Sequence, residues 1–176
     1  MCNRTYLHPG VLILAIGLVS SLLIHAQEPQ HTHGSMTQKQ MEEMNERGDK
    51  HMGFDHLKTT HHFLLASDGG AIRVEANSAK DKQSRDQIRR HLGHIATMFA
   101  EGNFNTPMLI HAKNPPGTDV MQQLKAEISY KFKNTARGAL IRIATNNPNA
   151  LAAIHEFLRF QIREHMTGDS LEVSGR

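Results

Sequence analysis

His61-His62-Phe63-Leu64-Leu65-Ala66-Ser67-Asp68-Gly69-Gly70-Ala71-Ile72-Arg73-Val74-Glu75-Ala76 carries the pattern on which the fold turns. Two runs, His61 to Ser67 and Ala71 to Ala76, flank Asp68-Gly69-Gly70, where the aspartate and the glycines supply the positive φ of a tight hairpin. Ile72, Val74 and Ala76 alternate with Arg73 and Glu75, so the second strand buries one face only. The next residues change period. Ser84 to Glu101 places Ile88, Leu92, Ile95 and Phe99 on one helical stripe, and Gly102 closes the helix.

The arrangement then repeats in pattern, though not in residue identity. A loop runs through Pro107, a short apolar run from Met108 to Ile110 follows, and Asn114-Pro115-Pro116-Gly117 makes a turn. Thr118 caps a short helix reaching about Ala126. Ile128, Tyr130 and Phe132 alternate with Ser129, Lys131 and Lys133, the turn is Asn134 to Gly138, and Leu140 to Thr145 pairs back. A helix follows from about Asn149 to Met166, ended by Gly168. The expected class is α+β: a four-stranded antiparallel sheet from two ββα units, with two long helices on one face. The opposite sheet face carries Arg73, Glu75, Lys131, Lys133 and Arg142, as a solvated or an anion-binding surface.

Upstream, Arg4 and the amino group precede an unbroken apolar or small run from Val11 to Ile24. Fourteen residues suit a signal-peptide core and fall short of the ~20 that span a bilayer. Residues 1–26 therefore read as a signal peptide cut after Ala26, and the protein as exported, periplasmic or secreted. A membrane partner enters only if the leader stays uncleaved. Cys2, the one cysteine of the chain, lies ahead of the run. Cleavage would leave no cysteine, which excludes disulfides, thiolate metal sites, cysteine nucleophiles and covalently attached c-type haem. Residues 27–58 read as a flexible His/Met-rich linker. Within it Ser35 and Gln38 form a capping box for a short helix from Met36 to Arg47 ended by Gly48, with Met41 and Met44 on one face. The folded domain spans 59–169, and 170–176 reads as a disordered tail.

With 20 Lys and Arg against 17 Asp and Glu, the net charge of +3 is too small to imply a nucleic-acid partner. Histidine is the chemical signal, at 13 residues beside nine methionines. Imidazole and thioether suit copper, and imidazole also suits zinc, nickel and iron. His91, His94 and Met98 lie roughly 60° to 120° to one side of Ile88 on the first long helix, at a spacing that lets side chains converge. His155 and His165 fall within the stripe of Leu151, Ile154, Leu158 and Ile162 on the last helix. His61 shares a strand face with Phe63 and Leu65, and His111 follows the short apolar run. Buried imidazoles need a hydrogen bond or a metal. His31, His33, Met36, Met41, Met44, His51, Met52 and His56 form a second, looser group, readable as a metal-collecting tract or a polar spacer. Phe157 and Phe160, roughly 120° and 180° from Leu151, read as exposed, and point to a homodimer or to a seat for the linker helix.

The runs Asn45-Glu46-Arg47-Gly48-Asp49, Met52-Gly53-Phe54-Asp55 and Lys58-Thr59-Thr60-His61-His62-Phe63 resemble an uncharacterised group of small exported bacterial proteins. Ser84-Arg85-Asp86, His91 to His94, Pro107-Met108, Pro115-Pro116-Gly117 and Leu158-Arg159-Phe160-Gln161-Ile162 also fit, over about Asn45 to Asp169. The resemblance implies a bacterial exported protein and transfers no activity. Three function classes stay open. One binds a transition metal, copper, or less readily haem through a His or His/Met axial pair. Its ligands are His91, His94 and Met98, completed from His61, His111, His155 and His165. The second is a non-catalytic, dimeric interaction module with packed or pH-sensing histidines. The third is an enzyme with His61 or His62 as general base beside Arg73 and Glu75, supported by no nucleophile motif.

Overall fold

Ser67 and Asp68 make the turn of the first hairpin, between β1 (Thr59–Ala66) and β2 (Gly69–Ala76), because Ala66 already pairs with Gly69. The computed structural model describes Met1 and residues 37–174. The glycines thus start the second strand. Only Gly69 takes a positive φ, 143°, and a Cβ there would collide with the backbone of Ile143 on the neighbouring strand. The second hairpin joins β3 (Ile128–Asn134) to β4 (Gly138–Thr145). All pairings are antiparallel and the strand order is β1-β2-β4-β3, so the two return strands sit side by side in the centre.

Two long helices cover one face of this sheet. α2 (Lys82–Ala100) is capped by Asp81, whose side chain accepts from Ser84 N, and it buries Ile88, Leu92, Ile95 and Phe99 as its period dictates. α5 (Pro148–Glu164) is capped by Asn147 and buries Ile154, Leu158 and Ile162. Phe63, Leu65, Ile72, Val74, Ile141 and Ile143 meet them from the sheet. The α+β expectation therefore holds, with two ββα units and both long helices on one side. Among the described residues no helix is long and apolar enough to cross a membrane.

The connection between the units is more helical than expected. Met108 to Ile110 belongs to α3 (Asn105–His111), and α4 (Thr118–Gln123) gives way to a single 3-10 turn, Lys125–Glu127. Gly117, at φ 84°, sits so close to Ala153 that a Cβ would strike the helix backbone. α4 and Phe104 thereby cover a flank of α5 that helical arithmetic left open. Phe157, expected at the surface, is 1% exposed and packs edge-on against Phe99 at 5.8 Å and Phe104 at 6.2 Å. Phe160 is half-buried beneath the ring of His111 and the Lys113 ammonium. The pair does not offer the exposed surface on which a dimer through Phe157 and Phe160 was expected.

Both ends of the domain are also more ordered than a linker and a tail. α1 spans Gln38–Met52, capped by Thr37 in a capping box with Gln40, two residues later than the Ser35–Gln38 motif. Gly48 is buried inside it and Gly53, at φ 73°, ends it. The vacancy beside Gly48 is filled by the Met52 methyl, 3.0 Å from where a Cβ would stand. Met44, Met52 and Phe54 belong to the core, so the flexible-linker reading of 27–58 fails from residue 38 onward. At the other end Asp169 accepts from Phe63 N at 2.9 Å and meets His62 Nδ1 at 2.9 Å, while Ser174 N donates to Leu65 O. Residues 169–174 thus occupy the open edge of β1, as an edge strand requires, and the disordered-tail reading is corrected to that extent. The expected signal peptide beyond Met1, the stretch 27–36 and the last two residues lie outside the described residues.

Among the described residues no long helix covers the second sheet face. Glu75 is bound by Arg137 at 3.2 Å and Arg142 by Asp68, while Lys131 and Lys133 are exposed.

Candidate metal centre

Four imidazoles from four elements come together where α1, α3 and the end of α5 meet the edge of the sheet. Strand alternation turns His61 toward the helices with Phe63 and Leu65. His91 stands on the second turn after Ser84 in α2, His111 ends α3, and His165 caps the C-terminus of α5. The His61 and His165 rings stack at 5.5 Å and 9°, and His165 meets His111 edge-on at 5.0 Å. Phe54 joins His91 to the row, 5.5 Å from its ring and 5.8 Å from that of His61.

Burial decides the protonation of these rings. It lowers His61 to about 4, helped by the charges of His91, His62 and His56, and lowers His91 to about 4, helped by His94. Burial, then His61 and His111, hold His165 well below the ordinary value. Burial also lowers His111, against the opposing pull of the Gln161 hydrogen bond and the Glu164 carboxylate. Neutral imidazoles keep a free ring lone pair, which is the form that ligates metal. Among the described residues no hydrogen-bond partner meets a ring nitrogen of His61, His91 or His165. His111 Nε2 pairs with Gln161 Oε1 at 3.1 Å, whereas its Nδ1 is buried without a hydrogen bond, 3.7 Å from Glu164.

Two cavities share this row. An inner, apolar one of about 60 Å³ reaches His91, His111 and Phe99. An outer one of about 300 Å³ is lined by Met41, Met44 and Met166, and Met52, His61 and His165 border both. The rings of His61, His91 and His165 keep some accessible surface because they face these cavities.

No family model matches the chain, and no curated protein or solved structure matches it either. The chemistry is therefore read from the residues themselves. Of the expected ligands, His61, His91, His111 and His165 are brought together and three are not. His94, the furthest of its row from Ile88, is exposed. Met98 turns toward α3, where its sulfur accepts from Thr106 Oγ1 at 3.8 Å. His155 points inward but is satisfied by backbone, with Nε2 3.0 Å from both Ala66 O and Gly69 O at the hairpin turn. Of the general-base grouping, His62 stands opposite Arg73 on the outer sheet face, where Asp169 holds it and Arg137 engages Glu75, while His61 faces the helices.

Among the described residues, one trio of carboxylate and imidazole groups brings its ligand atoms within 4.8 Å of one another: Asp49, Asp55 and His56. This group could hold a cation. Its bonds also make it the local lock between α1 and the next turn, since Asp49 takes both His56 N and His56 Nδ1, at 2.8 and 2.9 Å. Sequence reading missed Gln161 and Phe54 at the row. It set Met41 and Met44 on one helix face, but reading Gly48 as a stop left Met52 outside that helix, in a tract open to a metal-collecting or a spacer role.

Proposed function

We propose that the protein is an exported, non-catalytic metal-binding protein that holds a transition-metal ion, copper, at His61 and His165, with His91 and His111 flanking. The observation that carries this reading is the unpaired state of the row. The buried His111 Nδ1 has no hydrogen-bond partner, which is costly, and the other three neutral rings bond no protein group and face the cavities, where a coordinated ion would engage them. Gln161, bonded to His111 Nε2, provides the kind of outer partner that orients an imidazole whose other nitrogen ligates. Export rests on the apolar leader and on the resemblance of the sequence to small exported bacterial proteins.

The haem version has less support. His61 and His165 lie face to face, whereas axial ligands direct nitrogens at one another across a macrocycle. The test is metal analysis of protein purified without a tag or chelator, followed by copper titration. Binding should survive His155→Ala and be lost in His61→Ala/His165→Ala. A protein that ignores added copper and zinc overturns the reading. The depressed ring pKa values would then favour a pH-responsive core.

A further inference from the structure

The outer cavity holds an unusual donor set. Met41, Met44 and Met52 project from one face of α1, since steps of three and eleven residues return close to the same direction on a helix. Gly48, lying on that face, leaves the room into which the Met52 methyl folds. Met166 completes the wall from the opposite side. It sits just past the α5 cap at φ 46°, a left-handed conformation where glycine is usual, and it is 60% exposed. A methionine at such a place turns an apolar side chain to the cavity mouth at a conformational cost. Strain of that kind marks sites of function more often than plain surface.

We propose, building on the metal-binding reading, that this cavity is a Cu(I) site whose thioether donors come from Met41, Met44, Met52 and Met166, joined by His61 and His165. The histidine row contains no three imidazole or carboxylate groups with ligand atoms within 4.8 Å of one another. A nitrogen- and oxygen-based tetrahedral cage for Zn²⁺ is therefore not preassembled there. The same cavity adds four thioethers, while its third imidazole, His56, is engaged by Asp49 through Nδ1. Soft thioether ligands select Cu(I), an ion of low coordination number that also accepts imidazole. Glu164 is the one carboxylate lining the cavity, and Lys113 holds it at 3.0 Å. Copper enters and leaves as Cu(I), so binding is ligand exchange with no electron transferred. α1 then acts as more than a cover, since it supplies three of the four sulfurs.

The test uses the full chain, titrated anaerobically with Cu(I) against a chromogenic Cu(I) chelator and separately with Zn²⁺. Met41→Leu/Met44→Leu/Met166→Leu, close in volume and still apolar, should weaken Cu(I) binding at least tenfold and leave Zn²⁺ binding within twofold. X-ray absorption of the copper-loaded wild type should show sulfur in the first shell, reduced in the variant. Met166→Leu alone, at an exposed position, repeats the test with no risk to the core and should lower Cu(I) affinity measurably. Cu(I) affinity unchanged in both variants, or a copper shell without sulfur, overturns the thioether site while leaving the histidine reading intact. A wild-type chain that binds neither ion overturns both.

Discussion

Acidifying the metal-free protein from pH 7 to pH 5 should remove a large part of its stability. His61 and His91 both titrate at about 4 in the folded chain, against an ordinary 6.5. Between those values the unfolded chain binds more protons than the folded one, so stability falls as pH drops through 6.5 and levels off near 4. Each ring contributes a loss of about 2 kcal/mol at pH 5, and the two together about 4 kcal/mol if they act independently. His165 and His111 act in the same direction. Against a total of about 5–15 kcal/mol for ordinary domains, this is a shift that urea unfolding followed by circular dichroism reads easily. Asp169 does not confuse the result. Burial raises it, but the Thr167, His62 and Phe63 hydrogen bonds outweigh that and hold it below 3.8, so its contribution is lost only at lower pH. A stability that changes by less than about 1 kcal/mol between pH 7 and pH 5 would show that the rings accept protons freely in the fold. The premise of a buried, neutral histidine row would then be gone.

Phe157→Ala should cost about 3–5 kcal/mol, the loss for a core phenylalanine, measured as a fall in the urea midpoint. An unchanged midpoint would return this ring to the surface. Asp169→Asn weakens the link between the tail and β1, at about 1–3 kcal/mol for a charged hydrogen bond. Limited proteolysis should then cut within residues 170–174 faster than in the wild type, and equal rates would refute the edge-strap role. Removing the Arg89 guanidinium, which donates to Gly138 O at 3.1 Å and Thr135 O at 2.6 Å, should loosen the second hairpin. Faster amide exchange at residues 134–139 in Arg89→Ala is the expected signature, and unchanged exchange would argue against it.

The two hairpins and two long helices were legible because each repeats a local period over enough residues to outweigh single exceptions. α1 was not, and the reason is specific. Two overlapping capping boxes, at Ser35 and at Thr37, fit the same rule, and Gly48 offered a stop one turn early. Glycine ends helices when it takes a left-handed conformation, as Gly53 does at φ 73°. At Gly48 it serves packing instead, and only the position of the Met52 methyl reveals that. Phe157 illustrates the other limit. A helical wheel gives directions around one helix, but the width of the buried arc depends on neighbours, and α4 and Phe104 widen it for α5.

The same reasoning explains which histidines the fold brings together. Inward direction could be computed for His61 and His165 from strand and helix periods, and both do face inward. Inward direction alone does not separate a ligand from a satisfied core ring, however. His155 lies in the same α5 stripe as His165, yet its Nε2 spends its hydrogen on the carbonyls of Ala66 and Gly69. The difference is tertiary. At the hairpin end the carbonyls of Ala66 and Gly69 lie within reach, so an imidazole there finds an acceptor. At the other end β1 runs beneath α1, whose backbone groups are committed to its own helix and whose facing side chains are methionines. A ring placed there meets sulfur, aromatic carbon and other imidazoles, and no backbone acceptor. That contrast within one helix, between a histidine given a partner and one denied it, is what separates the row from a set of ordinary core histidines.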